Sequence, residues 1–439
     1  MPASTLIAYG ALGLPLAALN LPLYVYLPPY YASDLGLGLG AVGAVLFVAR
    51  MLDVVTDPLI GEASDRLPTR FGRRRPWLVL ACPVLLLSTW MLFVPGEEAS
   101  LAGLFLWTSI SYVAWTAMIL PYTALGAELS SDYHERSRIT GVREGFVILG
   151  ILSAAALPAL LGLEAEAANA KVLAMLALAM TVLVPLALLA LLLRVAEPPA
   201  APEAEVRFVQ GLRVALANRP FVRLVGAYLL NGIANGLPAT LFLLFVGDVI
   251  ERPDLGGPLL LVYFLAGVVA IPGWLWLSQR IGKHRAWAAA MLWASLAFAW
   301  APWLGPGDVM AFFAICLLSG LSLGADLALP ASMQADVVDL DWARSGRRRT
   351  GLFFALWSMT TKLSLALAVG IAFPILDLLG YQADGSSEVG LLGLALLYGL
   401  LPVAIKLVAT AIVWNFPLGE AFHEDTLRRL REGAPAAAD

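Results

Sequence analysis

Long apolar runs, each closed off by a short polar stretch rich in arginine, set the rhythm of this chain. Runs of membrane-spanning length fall near 5–31, 40–64, 76–94, 101–128, 141–163 and 171–195, and again near 220–247, 257–279, 286–304, 308–335, 350–378 and 388–416. The pattern predicts an all-α membrane protein with twelve transmembrane helices. The first run starts too near the N-terminus, and is too long, to be the apolar region of a cleavable signal peptide.

The polar breaks orient the spans. Arg66, Arg70, Arg73, Arg74 and Arg75 follow span 2, Arg136, Arg138 and Arg143 follow span 4, Arg280, Lys283 and Arg285 follow span 8, and Arg344, Arg347, Arg348 and Arg349 follow span 10. Arg207, Arg213, Arg219 and Arg223 surround the centre of the chain, and Arg428, Arg429 and Arg431 sit in the tail. Only Lys171 and Arg252 are expected on the other side. The positive-inside rule then puts both termini in the cytoplasm. A Pro/Ala-rich joint, Glu197–Glu203, divides the chain into an N-terminal six-helix half (1–195), a linker (196–219), a C-terminal half (220–416) and a tail (417–439). Within the linker, Val206–Asn218 has the spacing of a short amphipathic helix on the inner membrane face.

Composition agrees. Hydrophobic residues make up 60% and charged residues 14%, against about 25% charged in a soluble domain. Cys82 and Cys316 lie in separate apolar runs and imply neither a disulfide framework nor a metal site. The three histidines fall in polar stretches, so no intramembrane histidine relay is expected. An enzyme is therefore not expected, for the spans hold no His/Asp cluster and no Gly-x-Ser-x-Gly elbow.

Against that background, Arg50, Asp53 and Asp57 stand out inside span 2. Each ionisable group in hydrocarbon costs on the order of 2.5–3.5 kcal/mol on insertion scales. Asp53 and Asp57 are four residues apart and share a helical face. Two stacked carboxylates repel unless a cation or proton lies between them, so the pair reads as a coupling-ion site. Arg50 neutralises one acid at most. Lys362, deep in span 11, reads as functional, whereas Lys406 in span 12 is expected to snorkel toward water. Asp326 lies mid-span 10 and reads either as a substrate-side acid or as a buried acid bonded to a neighbouring serine. Asn231 and Asn235 share a face of span 7 and either bond substrate or tie helices together. Tyr26, Trp115, Tyr122, Trp342 and Trp357 are candidate cavity walls.

The halves repeat weakly: Pro121, Asp132 and Thr140-Gly141 are echoed by Pro330, Asp341 and Thr350-Gly351. Two such halves match the parallel-repeat plan of major facilitator transporters, whose substrate sites lie at the midplane. Four stretches carry a closer resemblance: Arg50-x-x-Asp53-x-x-x-Asp57-Pro58 running into Ser64-Asp65-Arg66 and Phe71–Trp77; Pro121–Glu128 with Asp132–Arg136; Ala335–Asp339 with Arg344 and Gly346; and Gly351-Leu352-Phe353 with Lys362. In these the chain resembles the glycoside–pentoside–hexuronide:cation symporters, the melibiose-permease branch of the major facilitator superfamily. The resemblance implies a cation site of Asp53, Asp57 and Thr116, with Thr56 at an often polar position, and a substrate side that includes Lys362 and Arg143. It also implies cytoplasmic charge networks that hold the halves together, drawn from Asp65, Arg66, Arg73, Arg74, Arg75, Asp132, Glu135, Arg136, Asp339 and Arg344, with Arg50 beside them as a gating residue.

One departure is informative. Galactoside carriers of that branch have an acid on span 1 and another on span 4; here those positions hold Ala17 and Ile119, and Asn20 is the nearest polar group. The reading is a cation-coupled symporter, driven by sodium or alternatively protons, with no resident cofactor. The expected substrate is a sugar, glycoside or hexuronide; the alternative is a lysolipid or other amphiphile, as in animal relatives of the branch. The expected setting is a monomer in the plasma membrane that meets a small-molecule substrate and the bilayer, and no nucleic acid.

Overall fold

A computed structural model describes residues 1–66, 72–96, 99–130, 133–161, 168–197, 215–345, 350–382 and 387–417. The first span is two helices, α1 (Ala3–Gly10) and α2 (Gly13–Val25), followed by α3 (Leu39–Arg66). Then come α4 (Arg75–Phe93), α5 (Leu101–Glu128), α6 (Tyr133–Leu161) and α7 (Ala168–Arg194). Beyond the linker run α8 (Arg219–Asp248), α9 (Gly256–Ile281), α10 (Lys283–Phe298), α11 (Val309–Ser345) and α12 (Thr350–Leu378). The last span is again two helices, α13 (Glu388–Tyr398) and α14 (Leu400–Trp414).

Among the described residues, eleven segments are long and apolar enough to cross a membrane. The remaining expected span, α10, has 16 residues, about 24 Å at 1.5 Å per residue, and a 3-10 turn at Ala301–Trp303 prolongs it. Gly282 links α9 to α10 at φ +89°, a backbone state open to glycine at little cost. Gly399 breaks the last span: a Cβ there would overlap the Pro302 ring. At its other end α11 runs ten residues beyond the expected 335, because Ala331–Ser345 holds neither glycine nor proline to stop it. Of the expected amphipathic helix in the linker, 206–214 lie outside the described residues; Asn218 caps α8 by accepting from the Phe221 amide at 3.2 Å.

Burial is inverted, as lipid demands. Large apolar side chains such as Leu80, Leu193 and Leu378 face outward, while Arg50, Asp53, Asp57, Thr116, Asn231, Lys362 and Lys406 are buried. Among the described residues, the main helix pairs joining the first six spans to the last six are α3 on α12, α6 on α9 and α2 on α8. The α3–α12 seam is tight because small residues sit under large ones, Gly43 against Phe373 and Gly370 against Phe47. Arg252 forks onto Asp254 at 2.9 and 2.8 Å, and this hydrogen bonding holds the Asp254 carboxyl below its usual range.

Candidate functional site

Asp53 and Asp57 project from one face of α3 toward α5 and α12, as their four-residue spacing predicts. The Thr116 hydroxyl, from α5, lies 3.2 Å from Asp53 Oδ1 and 2.7 Å from Asp57 Oδ1. Lys362, from α12, completes the group: its Nζ is 2.9 Å from Asp53 Oδ2, 2.6 Å from Asp57 Oδ1 and 2.9 Å from Thr116 Oγ1. The ammonium thus donates to Asp57 and Thr116 and forms an ion pair with Asp53. Thr116 is fully buried, and Asp53, Asp57 and Lys362 are 1%, 6% and 7% exposed.

A second cation backs the group. Arg50 Nη1 donates to Asp53 Oδ2 at 2.9 Å, and Nη2 bonds the Tyr24 hydroxyl. The guanidinium lies 3.8 Å from the Tyr112 ring centroid and 5.0 Å from that of Tyr24, so two aromatic faces hold it. Two cations and two anions leave the cluster neutral, which lets four ionisable groups share a buried site. Trp115 lies beside it, its ring centroid 5.6 Å from Lys362 Nζ.

Other expected residues sit elsewhere. The Thr56 hydroxyl turns back to the Asp53 carbonyl at 3.1 Å, away from the acids. Tyr122 is no cavity wall: it is fully buried, its hydroxyl donates to the Tyr9 carbonyl at 2.9 Å, and the two rings pack together at 4.8 Å. Tyr26 is buried with a hydroxyl that finds no partner among the described residues, and Asn20 is half-buried on α2. Arg143 pairs with its neighbour Glu144 at 2.5 Å. Trp357 stacks on Tyr228 at 3.8 Å.

Of the residues expected in the inter-half charge network, Arg73, Arg74 and Arg75 make described bonds within the N-terminal half. Arg73 and Arg74 reach Glu128 at 2.7 and 2.8 Å, and Arg74 also bonds Ser64 at 3.0 Å. The backbone amides of Arg73, Arg74 and Arg75 converge on the Glu197 carboxylate, and Arg75 bonds the Leu192 and Val195 carbonyls. These bonds tie α3, α4, α5 and the end of α7 into one body. Asp339 is half-buried on α11. Asp132 lies outside the described residues, as do the side chains of Asp65, Arg66, Glu135, Arg136, Trp342 and Arg344.

Lys406 overturns expectation. It is 1% exposed instead of snorkelling, because Asn231 and Asn235 accept from its Nζ at 2.7 Å each. The same two asparagines donate to Asp326, which also accepts from Trp287 Nε1 and has no serine partner among the described residues.

Known proteins share this architecture. The MFS/sugar transport protein family profile fits residues 8–420. The chain belongs to that family. It is 26% identical to the sodium-dependent lysophosphatidylcholine symporter 1-B of Danio rerio over 92% of this chain and 83% of the relative. It is 26% identical to the sphingosine-1-phosphate transporter MFSD2B of Xenopus tropicalis, over 87% and 81%. In fold it is similar to a crystal structure of a mutant of the nucleoside transporter NupG, with a TM-score of 0.71 at 14% identity over 94% of this chain and 99% of that one. This MFS transporter has the all-helical major facilitator fold, with eleven segments of spanning length among the described residues, and is a multi-pass membrane protein.

Proposed function

We propose that this MFS transporter is a sodium-coupled symporter of a single-chain phospholipid. The observation that carries the proposal is the Lys362 ammonium, seated among Asp53, Asp57 and Thr116. Two carboxylates and a hydroxyl are hard oxygen ligands that suit a small hard cation, and Lys362 fills their centre. Sodium would add a charge to a neutral cluster, so it enters as Lys362 leaves. The freed ammonium on α12 then offers its charge to an anionic group on the substrate. Sodium and substrate thereby raise each other's affinity by the same factor.

The lysolipid reading for the substrate rests on two supports. The acids that bond sugar hydroxyls in the galactoside carriers are Ala17 and Ile119 here, and the relatives named above carry lysophosphatidylcholine and sphingosine-1-phosphate. A sugar, glycoside or hexuronide is the second reading, favoured by the family's description as a sugar transport protein and by the span-2 motif of the melibiose branch. Protons are the alternative coupling ion, because the same carboxylates carry them. With both termini in the cytoplasm, the tight α3–α12 seam at Gly43 and Phe373 lies on the outer side.

Uptake of lysophosphatidylcholine into proteoliposomes tests the reading. Accumulation driven by an inward sodium gradient, and absent with potassium alone, supports it. Accumulation that ignores sodium contradicts it.

A further inference from the structure

The C-terminal half holds a second buried charge pair, and its geometry is directional. Lys406 on α14 has only donors; an ionised Asp326 on α11 has only acceptors. Between them lie Asn231 and Asn235 of α8. Each turns its carboxamide oxygen to Lys406, at 2.7 Å, and its nitrogen to Asp326, at 2.9 Å. Two parallel amide bridges therefore join cation to anion, and neither amide can flip without facing a like group at both ends. Trp287 Nε1 adds a third donor to Asp326 at 2.7 Å. Four helices of one half, α8, α10, α11 and α14, meet in this network.

The two ends differ in access. Lys406 is sealed from solvent, whereas Asp326 is half-buried. Tyr228 and Tyr263 lie within electrostatic reach of Asp326. Tyr228 stacks on Trp357, and its hydroxyl is 3.0 Å from that of Thr361 on α12, the helix that bears Lys362. A half-buried carboxylate with half-buried aromatic rings near it is the chemistry that recognises an ammonium group. Three donors and the amide-bridged Lys406 ammonium fix the orientation of this carboxylate.

We propose that Asp326, with Tyr228 and Trp357, forms a binding subsite for the ammonium end of the transported amphiphile, and that Lys406 is a positioning residue that holds this carboxylate in its charged, oriented form. The proposal rests on the lysolipid reading above.

The test compares lysophosphatidylcholine with lysophosphatidic acid of the same acyl chain, which lacks the ammonium. Uptake is read in proteoliposomes, and equilibrium melting shifts in nanodiscs without any ion gradient. Wild type favours lysophosphatidylcholine. Asp326→Asn and Lys406→Met each lower that preference about tenfold, the scale of a desolvated cation–anion and cation–π contact, through KM and not kcat. The charge-balanced Lys406→Met/Asp326→Asn variant loses no more than either single change, and it carries the test if Lys406→Met fails to fold. An unaltered preference in Asp326→Asn, or an equal rise in KM for both lipids, overturns the proposal while leaving the symport reading intact. If wild type moves neither lipid, the lysolipid reading fails and the melting shifts decide the subsite. A larger shift with lysophosphatidylcholine that disappears in Asp326→Asn supports it; equal shifts overturn it.

Discussion

Lys362 Nζ lies 2.6 Å from Asp57 Oδ1, an ion pair that joins the second span to the eleventh and so one half of the molecule to the other. Breaking a buried pair by removing one partner costs about 3–5 kcal/mol, because the survivor is left uncompensated. A bond of this kind between the halves persists only if something replaces the lysine when the halves part. Sodium fits that part.

Lys362→Met tests the replacement directly. It leaves Arg50 facing two acids, so the cluster gains one net negative charge. The variant is expected to melt lower than wild type without sodium and to regain stability as sodium is added, with a sodium affinity about tenfold higher or more. Melting curves across a sodium titration at constant ionic strength check this. A sodium response no stronger than that of wild type would remove Lys362 from the site.

Two threonines near the acids separate geometry from motif. Thr116 touches both carboxylates and Lys362, while the Thr56 hydroxyl bonds only its own helix. Thr116→Val is expected to weaken apparent sodium affinity about tenfold, with a stability loss of about 1–3 kcal/mol for the unsatisfied partners. Thr56→Val is expected to stay within about 0.5 kcal/mol of wild type and to keep its sodium affinity. Sodium-dependent uptake kinetics on the two variants measure the contrast.

Arg50 is held by shape as well as charge. It bonds Asp53 and Tyr24 and stacks on the Tyr112 ring. Arg50→Lys keeps the charge but loses the planar fork and the stacking surface, so the exchange is not conservative here. The variant is expected to melt at a lower temperature than wild type and to show weaker sodium stabilisation. A full-strength sodium response in Arg50→Lys would mean that charge alone suffices.

The α3–α12 seam offers a conformational test. A side chain at Gly43 would collide with Phe373 Cβ. Gly43→Leu is expected to pry this end open and populate the opposite-facing state. Spin-label distances between positions 36 and 380 should lengthen, and they should stay unchanged if the seam does not govern which side is open.

Much of this is legible in the chain. Runs of spanning length mark the helices, and the four-residue spacing of Asp53 and Asp57 marks their shared face. Thr116 and Lys362 come from the family motif. The aromatic cage of Arg50 is not legible, because Tyr24 and Tyr112 are ordinary membrane residues until packing brings them to one guanidinium. Lys406 misleads because its helix alone offers only water as a partner; the mid-span pair Asn231 and Asn235, with Asp326, is the signal that a buried cation has somewhere to go. The arginines after span 2 point to a charge network, but their partners Glu128 and Glu197 lie in the same half, so those described bonds brace one body instead of bridging two.

The most direct test is sodium-driven accumulation by Asp57→Asn. This variant keeps the shape of the site but removes one of its two negative charges. Radiolabelled substrate uptake into proteoliposomes under an inward sodium gradient is expected to fall from concentrative to merely equilibrating. Accumulation above equilibrium by Asp57→Asn, with the sodium dependence of wild type, would contradict the account.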